Sequence, residues 1–536
     1  LGTRNSELEV LDLLSRLVDK SLVVAVDAGE AVRYRLLSTV RQYAQERLTA
    51  SGAAEEVAKR HAAFFTALAE TAETALNGPD QAAWLDRLAR EHDNLRAALR
   101  WSAASGDTGL ELRLAGALWK FWAVRGYLAE GRRWLDDALA RTDSGVESTA
   151  AEAVDGPPAT GLRARANNAA GNLARAQRDY AAARACYEAA LGLWRQLGDR
   201  RGIAMSLSSL GNLANDQGDY AAARPLYEAS LALRRELGDQ AGIALLLNNL
   251  GSLAYNQGDH AAARGLYEES LALHRKRGDK GGVALALSVL GQIARATGDA
   301  ARAKALCQES LSLFRELGDR WGTALSLGIL GQVAQDEGDY QQAATFLEQS
   351  LPILRDIDDK WGVPLALLRL ARVVFLQGQP ARALALCREG LTLASGLGSA
   401  RHVATGLEMA AELTAALGDL TPAPLSQEPG SLDHDARRST SAGMVAGVPP
   451  SLQGKGARGL GLTRAAQVFG AAEALRERSG AAVLPADLPL YECAVSRVRD
   501  RLGEEGFATA REAGRAMPLE QAIALALEGL LDGLRE

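Results

Sequence analysis

Titratable and nucleophilic side chains occur along this chain, but their spacing assembles no reacting centre. Glu91, His92 and Asp93 are consecutive. Neighbouring residues on a helix project in different directions, so the trio is expected on a solvated helix face rather than in an acid–base site. The histidines His61, His92, His260, His274, His402 and His434 are scattered, and no His-x-x-x-His pair suggests a metal. Gly454, Gly456 and Gly459 fit Gly-x-Gly-x-x-Gly formally. They follow no strand, and that fingerprint works only inside a strand–turn–helix unit. Neither a Gly-x-Ser-x-Gly elbow nor a phosphate-binding Gly-x-x-x-x-Gly-Lys-Ser/Thr loop is present. Cys186, Cys307, Cys387 and Cys493 lie far apart in sequence, so neither a disulfide framework nor a zinc cluster is expected and a cytoplasmic setting fits. Cys307 and Cys387 read as buried packing. The expectation is a non-catalytic protein with no cofactor in this chain.

The chemistry left to such a sequence is binding, and its regularity shows where. Gly171, Gly211, Gly251, Gly291 and Gly331 stand 40 residues apart, as do Asp199, Asp239, Asp279, Asp319 and Asp359. A fixed period means stacked units, which offer an extended surface rather than a catalytic pocket. In one unit, Ala204, Leu207, Leu210, Leu213 and Ala214 recur at helical spacing and Gly218 ends the helix. Asp219 caps the next helix, which packs through Ala223, Leu226, Tyr227, Leu231 and Leu233. Units of this kind run from 161–200 to 361–400. In the sixth, Ala371 takes the glycine slot.

Composition agrees. Hydrophobic residues make up 47% of the 536 but aromatic ones only 5%, so alanine and leucine supply the helix contacts. The net charge is −6, and the first 60 residues are balanced, with nine basic and nine acidic side chains. Neither nucleic acid nor a membrane surface is an expected partner. Arg16 and Lys20 could touch DNA phosphates, but that balance argues for an intramolecular role. No apolar run is long enough to span a membrane, and the charged first residues carry no secretory signal.

Before the repeats, residues 1–50 read helix, strand, strand, helix around a hairpin turn at Asp27-Ala28-Gly29-Glu30. Residues 53–141 read as helices Ala54–Leu76, Asp80–Ser105 and Leu110–Ala140, with Gly126-Tyr127 marking a turn. Residues 142–160 read as a mobile insertion. After the array (161–419), residues 420–462 hold five of the fifteen prolines and no aromatic residue, and are expected to be a disordered linker. Residues 463–536 read as a helical cap, with Arg464–Ser479 the second half of a seventh unit begun by Ala400–Leu417. The chain opens at Leu1 inside an amphipathic pattern, which reads as a piece of a longer protein.

Leu210, Gly211, Ala223 and Tyr227, with their equivalents in other units, resemble the tetratricopeptide repeat in a 40-residue form. The resemblance implies an all-α solenoid whose first helices line a concave groove. By position it places three rows there. They are Asn168, Ser208, Asn248 and Ser288; Asn172, Asn212, Ser252, Gln292 and Gln332; and Arg175, Asn215, Tyr255, Arg295 and Gln335. Amides donate and accept at once and suit a peptide backbone. The alternative is that these polar groups merely solvate the groove. Trp321 and Trp361 are open to two readings, exposed anchors or core.

Leu13 to Val23, Arg33 to Leu37 and Val40 to Ala44 resemble the winged-helix segment of STAND-class ATPase regulators of the LuxR type; Glu91 to Leu99 resembles a signature placed before their repeat arm, and the tail around Phe469-Gly470-Ala471-Ala472, with Leu519-Glu520-Gln521-Ala522, resembles their C-terminal cap. The resemblance implies a small winged-helix remnant, an upstream ATPase domain that would hold ATP, and an arm binding a peptide, a protein or a small inducer. Leu37-Ser38 stands where many relatives carry a His-Asp pair. The alternative is a free-standing scaffold for protein assembly.

Overall fold

The computed structural model describes residues 12–27, 32–76, 78, 80–143, 159–397, 399–417, 458–479 and 488–535. The hairpin turn, most of the 142–160 insertion and most of the 420–462 linker lie outside the described residues. The chain divides into two compact units, Leu1–Leu213 and Ala214–Glu536. The architecture is all-α and repetitive, and one two-stranded hairpin is the only sheet among the described residues.

In the first unit a helix over 12–19 leads into antiparallel strands β1 (Val23–Asp27) and β2 (Val32–Leu36), paired from Val23↔Leu36 to Asp27↔Val32. The following helix, Ser38–Ala50, buries no residue. The hairpin is tied down by Arg33, which donates to the Arg90 carbonyl at 2.8 Å and pairs with Glu91 at 3.2 Å. That contact falls where the expected helix Asp80–Ser105 breaks into Gln81–Arg90 and His92–Ser105. The expected Leu110–Ala140 is likewise two helices, Thr108–Arg125 and Leu128–Asp143, parted at Gly126 with φ 80°. Glycine reaches that left-handed backbone without the clash a Cβ would cause. Around Phe121 and Trp122 these helices and Ala159–Ala176 close one apolar core.

The second unit shows why the period is 40. Helices Gln240–Asn256, His260–Lys276, Lys280–Ala296, Ala300–Glu316, Arg320–Asp336 and Tyr340–Asp356 are each 17 residues long, and three residues ending in Asp follow each. Gly238, Gly258, Gly278, Gly298, Gly318 and Gly338 turn the chain with φ between 66° and 80°. The next aspartate accepts the first free N–H groups, as Asp239 does from Gly242 at 3.0 Å and Asp259 from Ala262 at 2.9 Å. Where glycine is missing the turn persists. Asp358 takes φ 52° and, in the first unit, Arg178 takes φ 61°.

The other periodic glycine serves contact. A Cβ on residue 251 would stand 2.6 Å from the Tyr267 ring, and one on residue 291 would stand 2.3 Å from Cys307 Sγ. In the sixth unit Ala371 replaces the glycine, Cys387 replaces the tyrosine, and both are buried in one core. Three of the pairs are also pinned by a buried hydroxyl. Ser270, Ser310 and Ser350 donate to the carbonyls of Ala244, Ala284 and Ala324 at 3.2, 2.8 and 2.9 Å.

The stack continues through Gly362–Leu376, Pro380–Gly396 and Ala400–Leu417. Arg458–Ser479 packs along Ala400–Leu417, and Leu488–Leu502, Glu504–Arg515 and Leu519–Arg535 complete the end. Gly470 and Gly514 let Arg458–Ser479 and Glu504–Arg515 touch at the backbone. A Cβ on residue 514 would lie 1.8 Å from the Gln467 carbonyl oxygen, and one on residue 470 would lie 2.0 Å from that of Arg511.

Candidate functional site

Within the second unit, the first helices of successive repeats turn one stripe toward a cavity of about 420 Å³. Gln240–Asn256 contributes Ser252 and Tyr255, Lys280–Ala296 contributes Gln292 and Arg295, and Arg320–Asp336 contributes Gln332 and Gln335. Residues separated by 40 thus line one cavity from successive first helices. Several are already anchored. Ser252 shares a 2.5 Å bond with Tyr267 Oη, and Arg295 holds Asp336 at 2.5 Å.

The cavity has walls beyond these. Leu368, Arg369 and Arg372 enter from Gly362–Leu376, and Arg401, His402, Glu408 and Glu412 from Ala400–Leu417. The C-terminal helices add Phe469, Arg476, Tyr491 and Ala494 to the lining. Arg372 donates to Glu412 at 2.6 Å, and Arg476 grips Glu408 through two bonds of 2.5 and 2.7 Å. The Phe469 and Tyr491 rings meet edge to face at 5.7 Å, and Tyr491 Oη donates to Glu473 at 2.7 Å. Burial pushes the Tyr491 phenol well above its ordinary range, helped by its bond to Glu473. The hydroxyl therefore stays a neutral donor. His402 touches Trp361 at 5.6 Å and bonds Ser399 at 2.8 Å. Burial, then the charges of Arg401 and Arg369, hold its pKa below the usual value, while Asp359 opposes them.

The row beginning at Asn168 does not lie open. Asn168 is 4% exposed and exchanges bonds with Ser206 at 3.1 and 3.2 Å. Ser208 is buried and donates to its own helix at Ala204. Ser288 is buried between Ser310, at 2.7 Å, and Ser326, at 3.2 Å. Asn248 is half-buried, its Oδ1 away from any protein donor. Two of the four bond sideways to the next first helix, Asn168 to Ser206 and Ser288 to Ser326. Asn172 accepts from Tyr187 Oη at 2.8 Å, and Arg175, Asn212 and Asn215 are half-buried; none of the four lines the cavity. Arg372 and Glu412 lie 40 and 80 residues beyond Gln332 and so extend its row, which the amide pattern had ended. The cap residues carried no periodic signal.

Glu91, His92 and Asp93 diverge, as helix geometry requires. The middle residue, however, is not solvated. His92 is buried against Phe121 and Tyr127 at 5.2 and 4.5 Å, its pKa lowered by burial and then by Arg96, while Asp93 is almost fully exposed. Trp321 and Trp361 are 48% and 45% exposed. Among the described residues no group of three or more His, Cys, Asp or Glu could hold a metal, and no helix is long and apolar enough to cross a membrane.

Comparison with known proteins places the repeats. The tetratricopeptide repeat model matches residues 162–236, 202–276, 242–315 and 282–356. Over 138 residues the chain is 44% identical to proteins of Mycobacterium tuberculosis and Mycobacterium bovis named "Putative HTH-type transcriptional regulator". That stretch is 26% of this chain and spans only 15% of the relatives' length. Among solved structures, a STAND protein with a tetratricopeptide repeat sensor from Pyrococcus horikoshii is 15% identical, covering 76% of this chain and 55% of that one, with a TM-score of 0.48. The apo quorum sensor NprR from B. thuringiensis is 14% identical, covering 73% and 99%, with a TM-score of 0.48. Residues 162–356 are a run of consecutive tetratricopeptide repeats.

Proposed function

We propose that this chain is the sensor arm of a signalling ATPase-type transcriptional regulator, and that its second unit captures a peptide, a protein segment or a small inducer. The cavity carries the reading. Polar residues from three successive repeats converge in it, and the C-terminal helices add Phe469, Arg476, Tyr491 and Ala494 to its walls. A concave site walled on several sides suits a captured ligand better than the open surface of an assembly scaffold. The helix–hairpin–helix at the N-terminus and the 44% identical stretch support the regulator context, with ATP held by a domain upstream in the longer protein.

A ligand that binds only the folded state raises the melting temperature. At a hundred times its Kd the stabilisation is about 2.7 kcal/mol. Peptide and metabolite fractions screened by thermal shift on the full chain are expected to yield ligands that shift the native protein and leave Gln292→Trp, which fills the cavity, unmoved. A ligand that shifts both equally would place the site elsewhere.

A further inference from the structure

We propose that Gln332 is the residue that reads the ligand of this cavity, and that it reads a cis-amide edge, an N–H beside a C=O, on a compact neutral molecule such as a ring amide. The inference rests on the reading of the cavity as the ligand site and adds the chemistry that the site selects.

Gln332 lines the cavity from Arg320–Asp336, yet it is only 7% exposed. A side chain so deeply buried normally spends its polar atoms on protein partners. Asn168 and Ser288, one turn earlier in their own units, do so. Among the described residues nothing pairs with the Gln332 amide. Gln292, its equivalent 40 residues earlier, is half-buried in the same lining and likewise unpaired. A buried carboxamide without a partner is unfavourable, so it is a group held ready for something that enters.

The rest of that register is already occupied. Ser252 shares its bond with Tyr267 Oη, and Arg372 and Glu412 hold each other. The free stretch is therefore two carboxamides long. The row beside it is interrupted in the same way, because Arg295 is held by Asp336. An extended peptide offers N–H and C=O pairs along one edge about every 6.7 Å, so reading it by amides calls for a longer row. A stretch of two suits a short, compact molecule, and about 420 Å³ gives room for one.

Charge follows from the same group. A carboxamide donates and accepts side by side. An ionised carboxylate only accepts and an ammonium only donates, so either would leave half of the Gln332 amide bare. A ring amide fixes N–H and C=O on one edge and meets both with two parallel bonds. A single trans peptide bond turns them to opposite sides and meets only one. Tyr255 and Tyr491 also line the cavity, so an aromatic substituent has faces to rest on.

Isothermal titration of the full chain uses three probes. The first is cyclo(Gly-Phe). Its N,N′-dimethyl derivative keeps the ring and carbonyls but lacks the donors. N-acetylphenylalanine methylamide holds the same groups in open-chain, trans form. Only the component removed by Gln292→Trp is counted as cavity binding. The ring amide is expected to bind there at least about tenfold tighter than either comparison. Gln332→Met keeps the length of the side chain but neither donor nor acceptor. It should erase that preference and weaken the ring amide by about tenfold or more. The same variant should melt no lower than the parent chain, since no protein partner is lost. A clear drop in its Tm would make Gln332 part of the packing and overturn the proposal. Equal cavity affinity for the three probes, no binding of the ring amide at millimolar concentration, or a preference that survives Gln332→Met overturns the amide-edge inference and leaves the cavity as a site. Probe binding that Gln292→Trp does not touch overturns the cavity reading itself.

Discussion

Glu408→Ala is expected to cost about 3–5 kcal/mol, because it leaves Arg476 charged, largely buried and without its partner. The two side chains are 10% and 11% exposed, and two short bonds join them across Ala400–Leu417 and Arg458–Ser479. Arg476 would keep its 3.3 Å bond to Thr405 but lose both bonds to the carboxylate. Surface pairs of the array, such as Arg235–Glu269 with both side chains about half exposed, should cost no more than about 1 kcal/mol when broken. Urea denaturation measures the difference. Hydrogen exchange should show the opening concentrated in 458–479. The companion variant Glu408→Leu with Arg476→Met removes both charges and should recover most of the loss. If the single and double variants are equally unstable, the pair is not what fixes this helix.

Gly514→Ala should be nearly as damaging, at about 3 kcal/mol, the upper end for overpacking. The added methyl would meet a backbone carbonyl, which cannot swing aside as a side chain can, so the two helices must part. Gly470→Ala should behave alike from the opposite helix. Gly265→Ala gives the contrast. Residue 265 is an exposed interior position of His260–Lys276 with open space around its Cβ direction. There alanine removes backbone freedom from the unfolded chain and should stabilise by about 0.5–1 kcal/mol. Opposite signs for one chemical change, read as melting temperatures, test the backbone contact. Equal shifts would refute it.

The repeats were legible because their signals are local. Glycine at a left-handed turn followed by a capping aspartate acts within four residues, and it recurs often enough to survive losses at Arg178 and Asp358. Breaks that depend on a distant partner were not legible. The helix interruption at Glu91 coincides with Arg33, almost 60 residues earlier. The candidate residues divide in the same way: Ser252, Tyr255, Gln292, Arg295, Gln332 and Gln335 line the cavity. Asn168 and Ser288 instead bond to serines of the next first helix and Ser208 bonds its own helix, because local packing rather than the period decides where a side chain finds its partner. Arg372 and Glu412 kept the register but changed from amide to charge. Phe469, Arg476, Tyr491 and Ala494 reach the cavity only by tertiary docking, which no spacing announces.

Two thiols sealed into different rungs of the second unit have a practical corollary. Cys307 and Cys387 are both fully buried, and burial pushes Cys307 up to about 12 and Cys387 further still. A thiol so reluctant to ionise hardly reacts while folded, since the thiolate is the nucleophile. Each becomes alkylatable only when its own rung opens, so the two labelling rates time breathing at two points along one array. In a stack whose rungs lean mainly on their neighbours, those rates need not agree, and their difference measures how far an opening travels.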